Sequence, residues 1–248
     1  MFTIDTFNLR SPLGEKSGLA TSLNNYAAHL SEVGQSEAAL EHDRQALEIR
    51  RRLAQTRPDR YKPDYASSLN NYAIRLSEVG QSEAALEQAQ QSWAIYRLLA
   101  AKRPEKFDYD AIKVASSIQF LSWLCDRTAI GCALLDPDAI PPTIRPHRRP
   151  ELELYAAFVR TCLVSEEASR KDAFKRVQAA WGTLTVGGKT ATRDYWLCAA
   201  AWCATHTPDG LTALDWQTQW QSFVTQRKGQ VPCWMLEVAR RLSFRWPQ

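Results

Sequence analysis

Apolar residues recur every three to four positions through the first half of the chain. Leu23, Tyr26, Ala27 and Leu30 fall at i, i+3, i+4 and i+7, which gathers them on one helical face. Gly34 follows, and glycine leaves a helix most readily through a left-handed turn. Ser36 is placed to cap a second helix over residues 37–56, with Ala39, Leu40, Ala46, Leu47 and Ile49 on its buried side and Pro58 closing it. The same plan returns with Leu69, Tyr72, Ala73, Leu76, Gly80, Ser82, Ala85 and Pro104.

The second pass is a near-copy of the first. LNNYAAHLSEVGQSEAALE (Leu23–Glu41) and LNNYAIRLSEVGQSEAALE (Leu69–Glu87) differ at two of 19 positions, Ala28/Ile74 and His29/Arg75. The offset of 46 residues continues outside this block, where Arg57–Tyr61 returns as Arg103–Phe107 with Pro58 matched by Pro104. This is an internal duplication, with copies over residues 18–63 and 64–109. Two helix pairs alone leave an apolar face open, so a worn third copy is expected up to about residue 135. Val114–Ile118 echoes Ala66–Leu69 with a slip of three residues, and no turn glycine falls in register.

Five prolines between residues 136 and 150 (137, 141, 142, 146 and 150) rule out a helix there and predict a linker or irregular loop. Beyond it the pattern stays helical without the repeat. Candidate helices cover 151–167, 170–184, 190–207, 211–227 and 231–244, separated by Gly187-Gly188, Pro208-Asp209-Gly210 and Gly229. Seven of the nine tryptophans lie in residues 151–248. They read first as large core residues and second as an aromatic contact surface. The fold class is therefore all-α: an antiparallel helix-pair solenoid over residues 1–135, a linker over 136–150 and a Trp-rich helical domain over 151–248.

Over residues 18–110 the duplicated unit resembles the tetratricopeptide repeat family. The small residues this family needs where two helices cross correspond to Ala27, Ala39 and Ala46, then Ala73, Ala85 and Ser92. Two features depart from the family pattern. Leu and Ala replace the signature Trp and helix-A Gly, and the period is 46 instead of about 34. The long second helix and the Leu-Asn-Asn-Tyr-Ala start look more like the long-period branch of kinesin light chains and bacterial repeat arrays. The resemblance implies that the face carrying Asn24 and Asn70 lines a concave groove, with Asn25, Asn71, Ser31 and Ser77 along it. There an amide, both donor and acceptor, holds the backbone of an extended peptide.

Charge changes this picture little. Residues 1–135 carry 16 basic and 16 acidic side chains, and the net +4 arises from 15 and 11 in the remainder, too weak to imply nucleic acid. Arg145–Arg149 is a dense basic run that reads mainly as a solvated loop, and Arg50-Arg51-Arg52 reads as a salt-bridged solvent face beside Glu48. There is no secretory leader pattern and no run near the ~18 apolar residues of a membrane span, so a cytoplasmic location is expected. Cys198, Cys203 and His206 form the one metal-like cluster, but Cys198 lies off the face of the other two, and buried thiols are the better reading. Val186–Thr190 keeps only the tail of a phosphate loop, and Cys203 or Cys233 with His206 or His147 has no oxyanion framework. The reading is a non-catalytic interaction scaffold, without cofactor or metal, that binds a protein or peptide in the repeat groove. Its alternative is a detached sensor or regulatory subunit of a bacterial signalling or defence enzyme, an ATPase or protease, encoded elsewhere.

Overall fold

The computed structural model describes residues 12–127, 140–206 and 213–246. Ten α-helices occupy these stretches: α1 (Pro12–Glu32), α2 (Ser36–Thr56), α3 (Pro58–Glu78), α4 (Ser82–Lys102), α5 (Pro104–Leu124), α6 (Arg149–Leu163), α7 (Glu167–Thr183), α8 (Val186–His206), α9 (Ala213–Gln226) and α10 (Cys233–Arg241). The first five pack successively, α1 on α2 through to α4 on α5, as an antiparallel solenoid. Among the described residues there is no strand, and no helix is long and apolar enough to cross a membrane.

The duplication sets the geometry. Each of α1, α3 and α5 is 21 residues long and starts 46 residues after its predecessor. The turn after each uses the same two hydrogen bonds. Gly34 N–H donates to Ser31 O and Gln35 N–H to Leu30 O; Gly80 and Gln81 do the same to Ser77 and Leu76; Asp126 and Arg127 do so to Trp123 and Ser122. This is the helix stop in which the residue after the cap turns left-handed. Gly34 and Gly80 have φ of 80° and 82°, and Asp126 takes the third site at 53°. The third copy therefore has no three-residue slip. Aspartate, one of the few side chains that tolerates this conformation, replaces the missing glycine.

The small crossing residues are where the pattern puts them. Ala27, Ala39, Ala46, Ala85 and Ser92 are fully buried and Ala73 nearly so, which lets neighbouring helix axes approach. Ser92 keeps its hydroxyl satisfied by donating to Ala66 O at 2.7 Å.

Several local expectations shift. Ser36 is the first residue of α2, and Gln35 precedes it without a side-chain capping bond. Pro58 and Pro104 open α3 and α5, at the first helical position where a missing N–H costs nothing. Of residues 136–150, 136–139 lie outside the described residues, Pro146–Arg148 is a 3-10 turn, and Arg149 and Pro150 already belong to α6. Gly187-Gly188 is the first turn of α8, not a break. Arg51 and Arg52 pair with Glu48 at the surface. Arg50 instead is buried, reaching Asp64 at 3.2 Å and Thr21 at 2.9 Å.

Beyond the repeats, α6 packs against α5, α7 and α8, while α10 touches α3, α5 and α8. One apolar cluster runs without a break from Ala66 in α3 to Phe244. Trp196, Trp202, Trp216, Trp220 and Trp234 are buried, and Trp181 and Trp246 stack on Trp196 and Trp220 at 4.6 and 4.2 Å. The tryptophans are core, as large apolar side chains at a helix junction should be.

Candidate functional site

The six groove residues fall in three environments. Asn24 is half-buried; its amide donates to Asp43 Oδ1 at 2.5 Å and accepts from Ser68 Oγ at 3.0 Å, tying α1 to α2 and α3. Asn70, Ser31 and Ser77 are buried. Ser31 Oγ lies 2.9 Å from both carboxylate oxygens of Glu78, and Ser77 Oγ donates to Ile74 O at 2.8 Å. Asn70 Oδ1 has no protein partner and lines a cavity of about 30 Å³ with Tyr155, Tyr195 and Trp234, enough for one water. Asn25 is exposed and Asn71 half-buried. Much of the face that carries these six residues is therefore already covered.

Its cover is the C-terminal stretch from Arg227 to Arg241, which crosses the three repeat turns in order. Arg227, buried, donates through Nη1 to Ser31 O and through Nη2 to Ser36 Oγ at 3.3 Å, at the first turn. At the second, Cys233 lies against Gly80 and Trp234 lines the Asn70 cavity. At the third, Arg241 donates to Trp123 O at 2.7 Å and Leu124 O at 2.9 Å, and grips Asp126 through both oxygens at 2.7 and 2.9 Å. Ser31 and Trp123 are the same repeat position two periods apart. The last carbonyls of a helix lack intrahelical partners and carry partial negative charge, so an arginine there is favourable on both counts. Neither arginine stands out in the sequence. The available signal is their spacing, with Trp234 midway, which acquires meaning only beside the 46-residue period.

A buried polar layer runs beneath this cover. Arg75 bonds Glu78 at 2.6 Å and approaches Asp43 to 3.4 Å. Burial pushes the Asp43 carboxyl up to about 6 against the opposing pull of the Asn24 hydrogen bond and Arg75. Both differences between the two copies now have a cause. Arg75 meets Asp43 of the preceding helix, whereas its counterpart His29 has no preceding helix among the described residues and pairs at the surface with Glu32. Ile74 lines the cleft under the cover, whereas Ala28 lies at its open edge.

Between the concave face and α8 a cleft of about 230 Å³ remains. Its wall includes Ser31, Arg75 and Glu78 from the repeats, Lys113 from α5, Glu151 and Tyr155 from α6, and Arg193, Asp194 and Tyr195 from α8. Glu151 accepts a 2.6 Å hydrogen bond from Tyr109, and the Arg148 guanidinium lies over the Tyr109 ring at 4.4 Å. Arg149 donates to Ile140 O, while Arg145 and His147 are exposed. Thus the basic run is partly a strut for the linker.

The thiols have other surroundings. Burial pushes Cys162 up to about 12 and Cys198 well above its ordinary value, which keeps both protonated and unreactive. Cys203 is buried as well, and Cys233 is exposed. His206 stacks on Trp202, its Nδ1 lying 2.9 Å from Trp202 O. Among the described residues no three His, Cys, Asp or Glu side chains converge as a metal set.

Residues 19–97 match the tetratricopeptide repeat family. Comparison with curated proteins and with solved structures gives no match.

Proposed function

We propose, from the premise that residues 19–97 are tetratricopeptide repeats, that this chain is a non-catalytic interaction protein which takes a protein or peptide partner on its first repeat. Repeats of this family mediate protein–protein interaction. The observation that supports this site is a contrast in register. Leu19 and Tyr26 of α1 are 54% and 53% exposed, and Val33 in the turn after it is 36% exposed, whereas the counterparts of the first two are covered. Tyr65 packs beside Leu53 and Ala54 of α2, Tyr72 joins the main core, and Ile118 is fully buried. Leu19 and Tyr26 stand two turns apart, about 10 Å along the helix, and Val33 carries the apolar stripe on into the turn, where another helix or strand can lie across it. Exposed Asn25 beside it is the groove residue best placed to meet a partner backbone. Asn24, Asn70, Ser31 and Ser77 then act from within, holding the concave face in shape.

The test is site-specific photo-crosslinking of the full chain, with the reactive residue at position 25 or, as control, at Leu98 on α4, which is 62% exposed. A discrete partner adduct from position 25, absent from position 98 and lost on Tyr26→Glu, supports the reading. Equal labelling from both positions, or a partner retained by Tyr26→Glu, overturns it.

A further inference from the structure

The cleft between the concave face and α8 holds an unusual remainder of charge. Eight ionisable acidic and basic side chains line it: Glu32, Arg75, Glu78, Lys113, Glu151, Arg193, Asp194 and Arg227. Six have partners within the chain. Glu32 meets His29, Arg75 and Glu78 pair with each other, Glu151 takes the Tyr109 proton donor, Arg193 bonds Gln226, and Arg227 is spent on Ser31 and Gln230. Lys113 and Asp194 are left over. Neither makes a side-chain hydrogen bond or ion pair among the described residues. They also stand apart from each other. The charges acting on Lys113 are Glu151, Asp110 and Arg148, while those acting on Asp194 are Arg227, Glu78, Arg193 and Arg75, with no member in common. One end of the cleft offers an unpaired cation and the other an unpaired anion.

We propose that this cleft binds an elongated, amino-acid-sized zwitterion, which presents an anionic group to Lys113 and a cationic group to Asp194. A cavity of about 230 Å³ holds the equivalent of about seven waters, the right scale for such a molecule. Tyr155 and Tyr195, with ring centroids 4.7 Å apart, form an aromatic wall for its aliphatic stem. Burial pushes Asp194 up to about 6 and Lys113 below its ordinary value, more than the charges of Arg227 near the one and Glu151 near the other restore, as expected of groups without a direct ion pair. A ligand bearing both signs relieves both at once, whereas a simple cation or anion relieves one.

The test uses the purified full chain near pH 7, with L-arginine and L-lysine as probes and agmatine, which lacks the carboxylate, as control. Calorimetry should give saturable binding of at least one of the two amino acids, with agmatine about tenfold or more weaker, as loss of one charge-assisted contact requires. Asp194→Asn and Lys113→Met should each abolish that binding. Because each also removes a partly buried charge that has no ion pair, the ligand-free Tm of both variants should stay level or rise. Absence of saturable binding up to about 10 mM, a range that covers weak sites, overturns the proposal. So does equal affinity for agmatine, or a fall in ligand-free Tm for Asp194→Asn, which would mean that its carboxylate already has a partner.

Discussion

The first and second repeats carry nearly one sequence in two settings. Leu23–Glu41 and Leu69–Glu87 differ at two positions, yet Tyr26 faces solvent where Tyr72 joins the core, and Asn24 is half-buried where Asn70 is buried. Local sequence writes the helix, the turn and the crossing residues, and both copies obey it. What stands beside each copy decides which face is surface. In the second, α3 lies between α2 and α4, with α10 against it; in the first, α1 has α2 on one side and no described helix on the other. The two substitutions follow this difference, since Arg75 finds Asp43 across the repeat boundary and His29 has no equivalent neighbour.

The sharpest way to break the equivalence is at the turn glycines. Both need φ near +80°, but a Cβ on Gly34 would also clash with the Arg227 carbonyl, whereas on Gly80 it would make ordinary contact with Cys233. Gly34→Ala should therefore cost about 3 kcal/mol and Gly80→Ala about 1–2, since the left-handed conformation alone is worth about 1–2 and overpacking adds to it. Urea unfolding of the two variants measures the gap, and equal losses would mean that the C-terminal strap does not press on the first turn.

A second contrast lies at Asp43, whose counterpart one period on is Ala89. Its carboxyl is raised from 3.8 to about 6, chiefly by burial, so the folded state holds this proton more tightly than the unfolded chain does. The group's contribution to stability is thus full below pH 4 and is lost as pH rises through 6. The loss is about 2–3 kcal/mol, from a two-unit shift at about 1.4 kcal/mol per unit, at a site that is 1% exposed. Asp43→Asn should flatten the stability curve between pH 4 and 6, leaving the slope from Asp194, which is also pushed up to about 6. An unchanged slope would show that the layer is not strained by this charge.

The smallest effect is expected at the tyrosines. Tyr72→Ala should cost about 1–2 kcal/mol for lost apolar burial, and Tyr26→Ala about 0.5, as for an exposed side chain. Thermal unfolding distinguishes them. A large loss at Tyr26 would mean that its ring is covered in solution.

Helix pairs, crossing residues and turn glycines are legible in the sequence because they depend on neighbours within one period. The recurrence of Pro58 as Pro104 is legible for the same reason, but both read as helix ends where they are helix starts, and the lack of a glycine at position 126 concealed the register of α5. Aspartate fills that site with Arg241, a residue 115 positions away. The candidate site was less readable. Asn70 and Ser31 could be assigned to a concave face, but not the fact that Trp234 and Arg227 would cover them, because a contact between distant segments leaves no period to read. Nor does pattern distinguish a paired buried charge from an unpaired one, which separates Lys113 and Asp194 from the six charges around them.

The core is continuous from α3 onward, and the first repeat reaches it only through the half-buried Leu40 among the described residues. Its buried apolar groups form two small clusters of their own, Ala27 with Leu30 and Ala39, and Leu53 with Ala54 and Tyr61. In a linear array each unit is held by its own packing and one neighbour on either side, so among the described repeats the one with the thinnest core has the lowest opening free energy. The proposed docking stripe lies on this unit, and a ligand stabilises whatever it binds. A partner on α1 would therefore anneal the loosest of the described repeats, and its affinity would carry the cost of holding that repeat closed.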